Sequence, residues 1–169
     1  IKKYTDKIID EYWKDVKETK GKGRENMTID YEVITNTKRL FSLKINSIVQ
    51  INTSSDEAKV YHIDKKTGKC ITLECIFKDN TDYRAVLTKE IKKQMRNNMK
   101  TDKEKVYFID KKGMNWTGVG KEADFYINNK KELVMLFDKY EVAPGYMGAC
   151  QFCIPQERIQ NIIKKEYFV

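Results

Sequence analysis

The sequence predicts an α+β fold with a mostly antiparallel sheet and helices packed on one face. Apolar residues alternate between the period of a helix and the period of a strand, in the order helix, strands, helix, strands, helix. The predicted strands come mostly in adjacent pairs, which favours antiparallel pairing over strands that alternate with helices. A chain of 169 residues can bury a core in one or two small modules without disulfides or metal.

The first third of the chain predicts one helix followed by a pair of strands. Residues 1–20 carry apolar side chains at helical spacing, and Gly21 and Gly23 follow as C-cap candidates. Residues 39–51 change to a period of two, which predicts a half-buried strand paired with residues 28–35. In that strand we expect the core to be faced by Phe41, Leu43, Ile45, Val49 and Ile51, and solvent by Ser42, Lys44, Asn46 and Gln50.

The middle of the chain predicts a hairpin and a second helix. Residues 58–63 and 70–77 are predicted as antiparallel strands around a turn in which Gly68 supplies a positive φ. Asn80, Thr81 and Asp82 then cap a helix that reaches about residue 98. Its apolar stripe is predicted to be core and consists of Tyr83, Val86, Leu87, Ile91 and Met95.

The last third predicts short strands and a final helix. The strands are expected at residues 105–109, 124–127, 133–139 and 149–154, with a turn at 128–131 between the second and the third. Pro155 suits the first turn of a helix that runs to about residue 163.

The charge of the chain indicates which partners to expect. The formal net charge of +8 comes from many lysines and few arginines, mixed with acidic residues along the whole chain. Readers of nucleic acid favour arginine and gather their charge on one helix or groove, so we expect a solvated lysine-rich surface and no nucleic-acid partner. The longest apolar runs, such as residues 133–137, are too short to span a bilayer. Because the chain opens inside a helical pattern without Met, we interpret it as a fragment that a signal or membrane anchor could precede.

Catalytic and metal chemistry find little support in the sequence. His62 is the single histidine, and a structural or surface role suits it better than a place in a nucleophilic triad. The four cysteines, Cys70, Cys75, Cys150 and Cys153, lie in predicted strands with alternate phase, so their sulfurs do not converge on one metal. Free thiols or a disulfide that joins the two cysteine motifs are the alternatives. We therefore predict no enzyme, no metal and no cofactor.

Two loops are candidates for binding a partner. In residues 140–148, Pro144 fixes φ and Gly145 permits a sharp reversal, so the loop should be stiff and present Tyr146 and Met147 as anchors. The alternative is that both side chains fold back onto the core. Trp116 lies among the glycines of residues 113–120, either as an exposed anchor or as a plug over a sheet edge.

Several segments resemble one known family. They are FYI at residues 125–127, LFDKYEVAP at 136–144, Gly148, FCIP at 152–155 and the hairpin YHIDKKTGK at 61–69. Together they resemble the C-terminal module of RsiV-type anti-sigma factors, which also occurs beside cell-wall polysaccharide deacetylase domains. The resemblance covers about residues 39–169. Residues 1–38 look like the end of a preceding α/β module, and we expect the two parts to pack as one compact unit.

The resemblance implies a function outside the cell. It implies a monomeric, extracytoplasmic domain of a membrane-anchored bacterial protein, which binds lysozyme and so permits release of a sigma factor held through a segment that is not in this chain. It also implies two rims that meet the ligand, namely residues 144–148 and the loop that contains Ser54. A non-catalytic wall-associated module that contacts cell-wall glycan or an anionic polymer through its lysine-rich surface is the alternative.

Overall fold

The computed structural model describes residues 1–20, 25–51, 53–110 and 115–168. The strands form two antiparallel three-stranded sheets, in the orders β1-β2-β3 and β4-β5-β6, which confirms the α+β class. In chain order the elements are α1 (Lys2–Thr19), β1 (Glu25–Asn36), β2 (Leu40–Ile51), β3 (Thr53–Asp64), α2 (Tyr83–Thr101), β4 (Phe125–Ile127), β5 (Leu133–Phe137), β6 (Cys150–Ile154) and α3 (Gln156–Ile159).

The first sheet is long, and α1 packs on one of its faces. Ile8 of α1 is buried, and the ring of Tyr4 meets that of Tyr61 edge to face at 6.4 Å. The predicted amphipathic helix is thus confirmed. It ends at Lys20, which takes the left-handed conformation with φ of 53°, while the predicted caps Gly21 and Gly23 lie outside the described residues.

The second sheet packs against α2 and holds most of the core. The side chain of Asp82 caps α2 by accepting a hydrogen bond from the Ala85 N–H at 3.2 Å. Leu87, Ile91 and Met95 are completely buried. The prediction of this helix, its cap and its apolar stripe is therefore confirmed.

Polar side chains and the C-terminal segment join the two sheets. Thr35 Oγ1 of β1 donates to the carbonyl of Ile127 at the end of β4, at 2.6 Å. Arg39 forms an ion pair with the buried Asp64 at 2.8 Å, and the ring of Tyr167 lies against the Arg39 guanidinium. Sequence-distant residues are thus bonded across the predicted boundary at residue 38, and β1 and β2 on either side of it are paired; the boundary itself stays a prediction.

Several local predictions were wrong. Ser42 was expected on the solvent face of its strand but is buried, because it bonds to His62, whose ring packs on Phe125 of the second sheet. Residues 70–77 form a short 3₁₀ turn between two isolated bridges, Cys70 with Ile63 and Phe77 with Ile163, and not a strand. Residues 105–109 are irregular, and α3 ends at Ile159 rather than near residue 163.

Candidate functional site

The predicted binding loop at residues 140–148 is held by the core at its base. Val142 and Ala143 are buried, and the carbonyl of Val142 accepts a hydrogen bond from the Phe108 N–H at 2.8 Å. Pro144 then starts a single 3₁₀ turn, Gly145–Met147, which Gly148 closes with φ of 64°. The loop is therefore short and tied to the interior just before the predicted anchors.

The two predicted anchors have different surroundings. The side chain of Tyr146 is 70% exposed, and its hydroxyl donates to the carbonyl of Glu104 at 2.8 Å. Met147 instead packs against the core, with its Sδ 3.2 Å from the Val106 N–H. Of the two predicted anchors, only Tyr146 is exposed to solvent. The side chain of Met147 folds back onto the core.

Tyr140 connects the two predicted rims, although the sequence analysis did not single it out. It has φ of 72° and a side chain that is 65% exposed. Its ring lies over Gly145 so closely that a Cβ there would overlap it. The neighbouring Lys139 places its Nζ 5.3 Å from the Tyr140 ring centroid and donates to the carbonyl of Ser54 at 3.2 Å. The structure thus brings the Ser54 loop and the Pro144–Met147 turn to the same end of the molecule.

Trp116 lies elsewhere, against α2. Its half-buried ring meets the edge of Phe137 at 5.3 Å, and Lys92 Nζ is 5.9 Å from its centroid. The ring thus packs against the core and is not presented as an exposed anchor. Gly113 and Met114 of the same predicted loop lie outside the described residues.

Three grooves that share lining residues have volumes of about 460, 410 and 640 Å³, and Tyr140 lines the last of them. We call them together the acidic cleft. They are lined by seven acidic residues and four basic ones, which gives a formal charge of −3 in a chain whose net charge is +8. The acidic residues are Asp30, Asp56, Glu57, Glu122, Asp124, Asp138 and Glu141, and the basic ones are Lys44, Lys59, Lys121 and Lys139.

Two carboxyl groups of the acidic cleft have altered pKa values. Burial raises the pKa of Asp124, against the opposing effect of Lys59, whose Nζ lies 3.0 Å away. Burial also raises the pKa of Glu141, which accepts a hydrogen bond from the Asp138 N–H at 3.0 Å. Sequence analysis missed both residues because neither stands in an apolar sequence context. Only the tertiary structure places Asp124, just before β4, and Glu141, after β5, in the same groove as Lys59 of β3.

His62 occupies the junction between the sheets that flank the acidic cleft. Its Nε2 lies 2.9 Å from the Phe125 carbonyl and its Nδ1 lies 2.7 Å from Ser42 Oγ, while its ring stacks on Phe125. A carbonyl can only accept, so Nε2 carries the proton and Nδ1 accepts from Ser42. Burial lowers the pKa of His62 to about 4, against the opposing effect of the Phe125 carbonyl. The structural interpretation of this histidine is confirmed.

The cysteines are free thiols in the structure. Cys150 is buried with Phe152 and Ile154, and Cys153 points the other way, as the strand pattern predicts. Burial, together with a hydrogen bond to Glu132, raises the pKa of Cys153 to about 11, so this thiol stays protonated at neutral pH. Among the residues that the structure describes, no group of three or more His, Cys, Asp or Glu side chains could hold a metal ion.

Comparison with known families assigns the central part of the chain. Residues 74–157 match a family described as "Protein of unknown function (DUF3298)". We refer to this matched region as the DUF3298 domain. It includes α2, the second sheet and the loop that carries Tyr140 and Tyr146. The acidic cleft therefore lies between the DUF3298 domain and the first sheet.

Solved structures share the fold of the DUF3298 domain and its first sheet. A DUF3298 family member from Bacteroides fragilis matches with a TM-score of 0.62 and 18% identity, over 96% of this chain and 68% of that one. A DUF3298 family protein from Pseudomonas aeruginosa matches with a TM-score of 0.56 and 13% identity, over 90% of this chain and 69% of that one. At these identities the matches establish the fold alone.

Two curated relatives contain a similar region. The anti-sigma-V factor RsiV of Bacillus subtilis is 34% identical over 149 residues, which is 88% of this chain and 52% of that protein. The peptidoglycan-N-acetylmuramic acid deacetylase PdaC of the same organism is 22% identical over 176 residues, or 99% of this chain and 36% of that protein. The chain thus spans about half or less of each relative, and the resemblance to the RsiV-type module is confirmed. None of the helices in the described part of the chain has the length and apolar character to cross a membrane.

Proposed function

We propose that this chain is the extracytoplasmic sensor domain of an RsiV-like, membrane-anchored anti-sigma factor, and that it binds lysozyme to trigger release of a sigma factor. The similarity to RsiV over 88% of the chain supports the class of protein. The observation that carries the proposed ligand is a pair of exposed tyrosines. Tyr140 lines the acidic cleft, and Tyr146 lies on the turn that the Tyr140 ring covers at Gly145. The domain does no chemistry in this proposal.

The rigidity of the loop supports a binding role. An exposed aromatic ring on an ordered loop loses little conformational entropy when it binds. Tyr146 is such a ring, because Val142 and Ala143 hold the loop in the core and its own hydroxyl is bonded to Glu104. Pro144 and Gly145 form the turn below it, Ser54 forms the opposite rim, and Met147 anchors the turn from inside.

The charge of the acidic cleft supports a basic ligand. Two proteins of positive net charge repel each other at long range, and this chain carries +8. At short range the electrostatic interaction with a basic ligand becomes attractive, because the acidic cleft carries a formal charge of −3. A basic lysozyme that approaches this end of the molecule therefore meets a complementary surface.

Titration calorimetry with a basic animal lysozyme tests the proposal. We expect wild type to bind and Tyr146→Ala to lose about 2 kcal/mol of binding free energy, roughly a thirtyfold loss, as for a central aromatic anchor. The matched control is Tyr31→Ala, because Tyr31 is 68% exposed on β1 and lies outside the acidic cleft. Equal affinities for the two variants, or no heat with wild type at micromolar protein, would rule out this site.

A second function is supported by the similarity to PdaC, which extends over 99% of the chain. In this alternative the chain is a non-catalytic, wall-associated module of a larger protein, and its ligand is cell-wall glycan. Retention on purified peptidoglycan distinguishes the two functions. Retention of wild type and Tyr146→Ala alike, without lysozyme binding, would favour the wall-associated module.

A further inference from the structure

The positive charge of the chain is concentrated on α2. This helix holds six basic residues and one acidic residue, Glu90, so it contributes a formal charge of +5 to the total of +8. Glu90 is buried and paired with Arg158 at 3.3 Å, so it does not offset the exposed charge of the helix. The expectation that charge is spread evenly along the chain is therefore wrong for this helix.

Five of the basic residues form one continuous face. They stand at intervals of three and four residues, which places them on the same side of the helix, with five charges over about three turns, or roughly 16 Å. Four are exposed and Lys92 is half-buried beside Trp116. We call this set the basic face, and its members are Lys89, Lys92, Lys93, Arg96 and Lys100.

Most of the charge on the basic face is not neutralised. Arg96 forms a two-bond ion pair with Asp110, at 2.7 and 3.0 Å. The four lysines form no salt bridge with any residue that the structure describes. The basic face therefore keeps a net charge of about +4, and these charges are arranged in a row along the helix.

The surroundings of the basic face narrow the choice of partner. A helix that inserts into a membrane surface needs an exposed apolar side, but the apolar side of α2, with Leu87, Ile91 and Met95, is buried in the core. Recognition of bases in nucleic acid uses arginine forks or exposed aromatic rings. Here four of five residues are lysines, and the nearby Trp116 is half-buried against Phe137. A row of lysines without these features suits a flexible chain of phosphate charges.

We propose that the basic face of α2 binds a linear polyanion of the cell envelope with one phosphodiester in each repeat. The charge complementarity of a row of lysines with such a polymer carries the proposal. It rests on the proposed extracytoplasmic location but not on lysozyme as the ligand, because the acidic cleft is a separate surface. Binding there would hold the domain within the wall and leave the acidic cleft free for its own ligand.

The experiment compares two triple variants of the whole chain with the same net charge. Lys89→Gln, Lys93→Gln and Lys100→Gln neutralise the basic face, and Lys3→Gln, Lys14→Gln and Lys17→Gln remove three exposed charges from α1. The probe is end-labelled poly(glycerol phosphate), followed by fluorescence anisotropy over a series of salt concentrations. Lys and Gln have similar helix propensities, and a circular dichroism melt checks that both variants fold.

We expect the α2 variant to lose roughly tenfold or more in affinity and the α1 variant less than about twofold. The slope of log affinity against log salt should fall by roughly 2 in the α2 variant, since each lysine that neutralises a phosphate contributes somewhat less than one. The α2 variant should still bind lysozyme, and this separates failure of the polymer site from failure of the proposed function.

Other outcomes would overturn the proposal. Equal losses in the two variants would mean that net charge alone attracts the polymer. Tighter binding to duplex DNA or to vesicles with anionic lipid than to poly(glycerol phosphate), with the same dependence on α2, would assign the basic face to those partners instead. Absence of binding to the polymer at low salt would remove the site.

Discussion

The acidic cleft and the basic face of α2 carry opposite charges within one small chain. The acidic cleft has a formal charge of −3, and α2 alone contributes +5. The acidic cleft is assembled from both sheets and their loops, whereas the basic face belongs to a single helix. The formal net charge of +8 therefore describes neither surface.

This difference shows that each surface suits a different class of partner. The acidic cleft combines negative charge with the exposed Tyr140, and the exposed Tyr146 lies on the same firm loop; these are features of a protein-binding site. The basic face has a row of lysines and no exposed anchor, which favours a flexible polyanion whose binding depends on salt. A change in one surface should leave the binding at the other unchanged.

The largest effect is expected from the junction that holds the acidic cleft together. His62 has a pKa of about 4 in the folded chain against 6.5 when unperturbed. Between pH 4 and pH 6.5 the unfolded chain binds more protons at this residue than the folded chain does. The contribution of neutral His62 to the free energy of unfolding is therefore fully present above pH 6.5 and is lost as the pH falls towards 4. We expect this contribution to be about 3 kcal/mol in urea unfolding. The His62→Gln variant should show a flatter pH dependence than wild type.

Two further points make this test specific. Asp124 and Glu141 have raised pKa values, so their contributions change with pH in the opposite direction, and the difference between wild type and variant isolates His62. Because His62 is the single histidine, its ring proton resonance in the folded protein reports its pKa even where the variant folds poorly. A value near 6.5 would contradict the buried junction.

A second, smaller effect is expected from Gly145 in the binding loop. A side chain there would displace the ring of Tyr140, so Gly145→Val should weaken lysozyme binding about tenfold, or about 1.4 kcal/mol, while the chain still folds. Tyr140→Ala and the double variant complete a mutant cycle in calorimetry. If Gly145 acts through Tyr140, the double variant matches Tyr140→Ala. Additive losses would show that Gly145 acts independently.

The smallest effect is expected from the charge of the acidic cleft. Asp56→Lys with Glu57→Lys should slow association with a basic lysozyme about fivefold at low salt, because the local attraction is reversed. The control is Asp10→Lys with Asp15→Lys on the exposed side of α1, which changes the net charge equally. Stopped-flow measurements should show that the two variants converge near 1 M salt, where charges are screened within about 3 Å. Equal rates at low salt would mean that the acidic cleft does not guide the ligand.

The sequence predicted those parts of the fold whose stability is local. The helix α2, its Asp82 cap and its buried stripe follow from spacing alone. The same holds for the turn at residues 128–131, since β4 and β5 pair across it, and for the positive φ of Gly68. Residues 70–77 alternate like a strand but form a 3₁₀ turn, because only the two ends find partners, Cys70 with Ile63 and Phe77 with Ile163, each in an isolated bridge. Alternation indicates which side chains share a face, but it does not supply the neighbouring strand.

The candidate site could be predicted only in part for a related reason. The proline and glycine of residues 144–145 indicate a stiff turn, and the structure presents Tyr146 there. Tyr140, Asp124 and Glu141 carried no distinctive local signal. Their place in the candidate site depends on which loops lie next to each other, and this cannot be predicted from the sequence of a single loop.

By itself, then, the sequence determined the class of fold, the amphipathic helices and the resemblance to the RsiV-type module, because these depend on residues close together along the chain. Only the tertiary structure decided that His62, held by Ser42, joins the two sheets. It also decided that Ser54 and Tyr140 line one groove together with acidic side chains. These features depend on contacts between residues far apart in sequence, such as Lys139 with Ser54 and His62 with Phe125. Such contacts depend on how the helices and strands pack against each other, so the periodicity of the local sequence does not predict them.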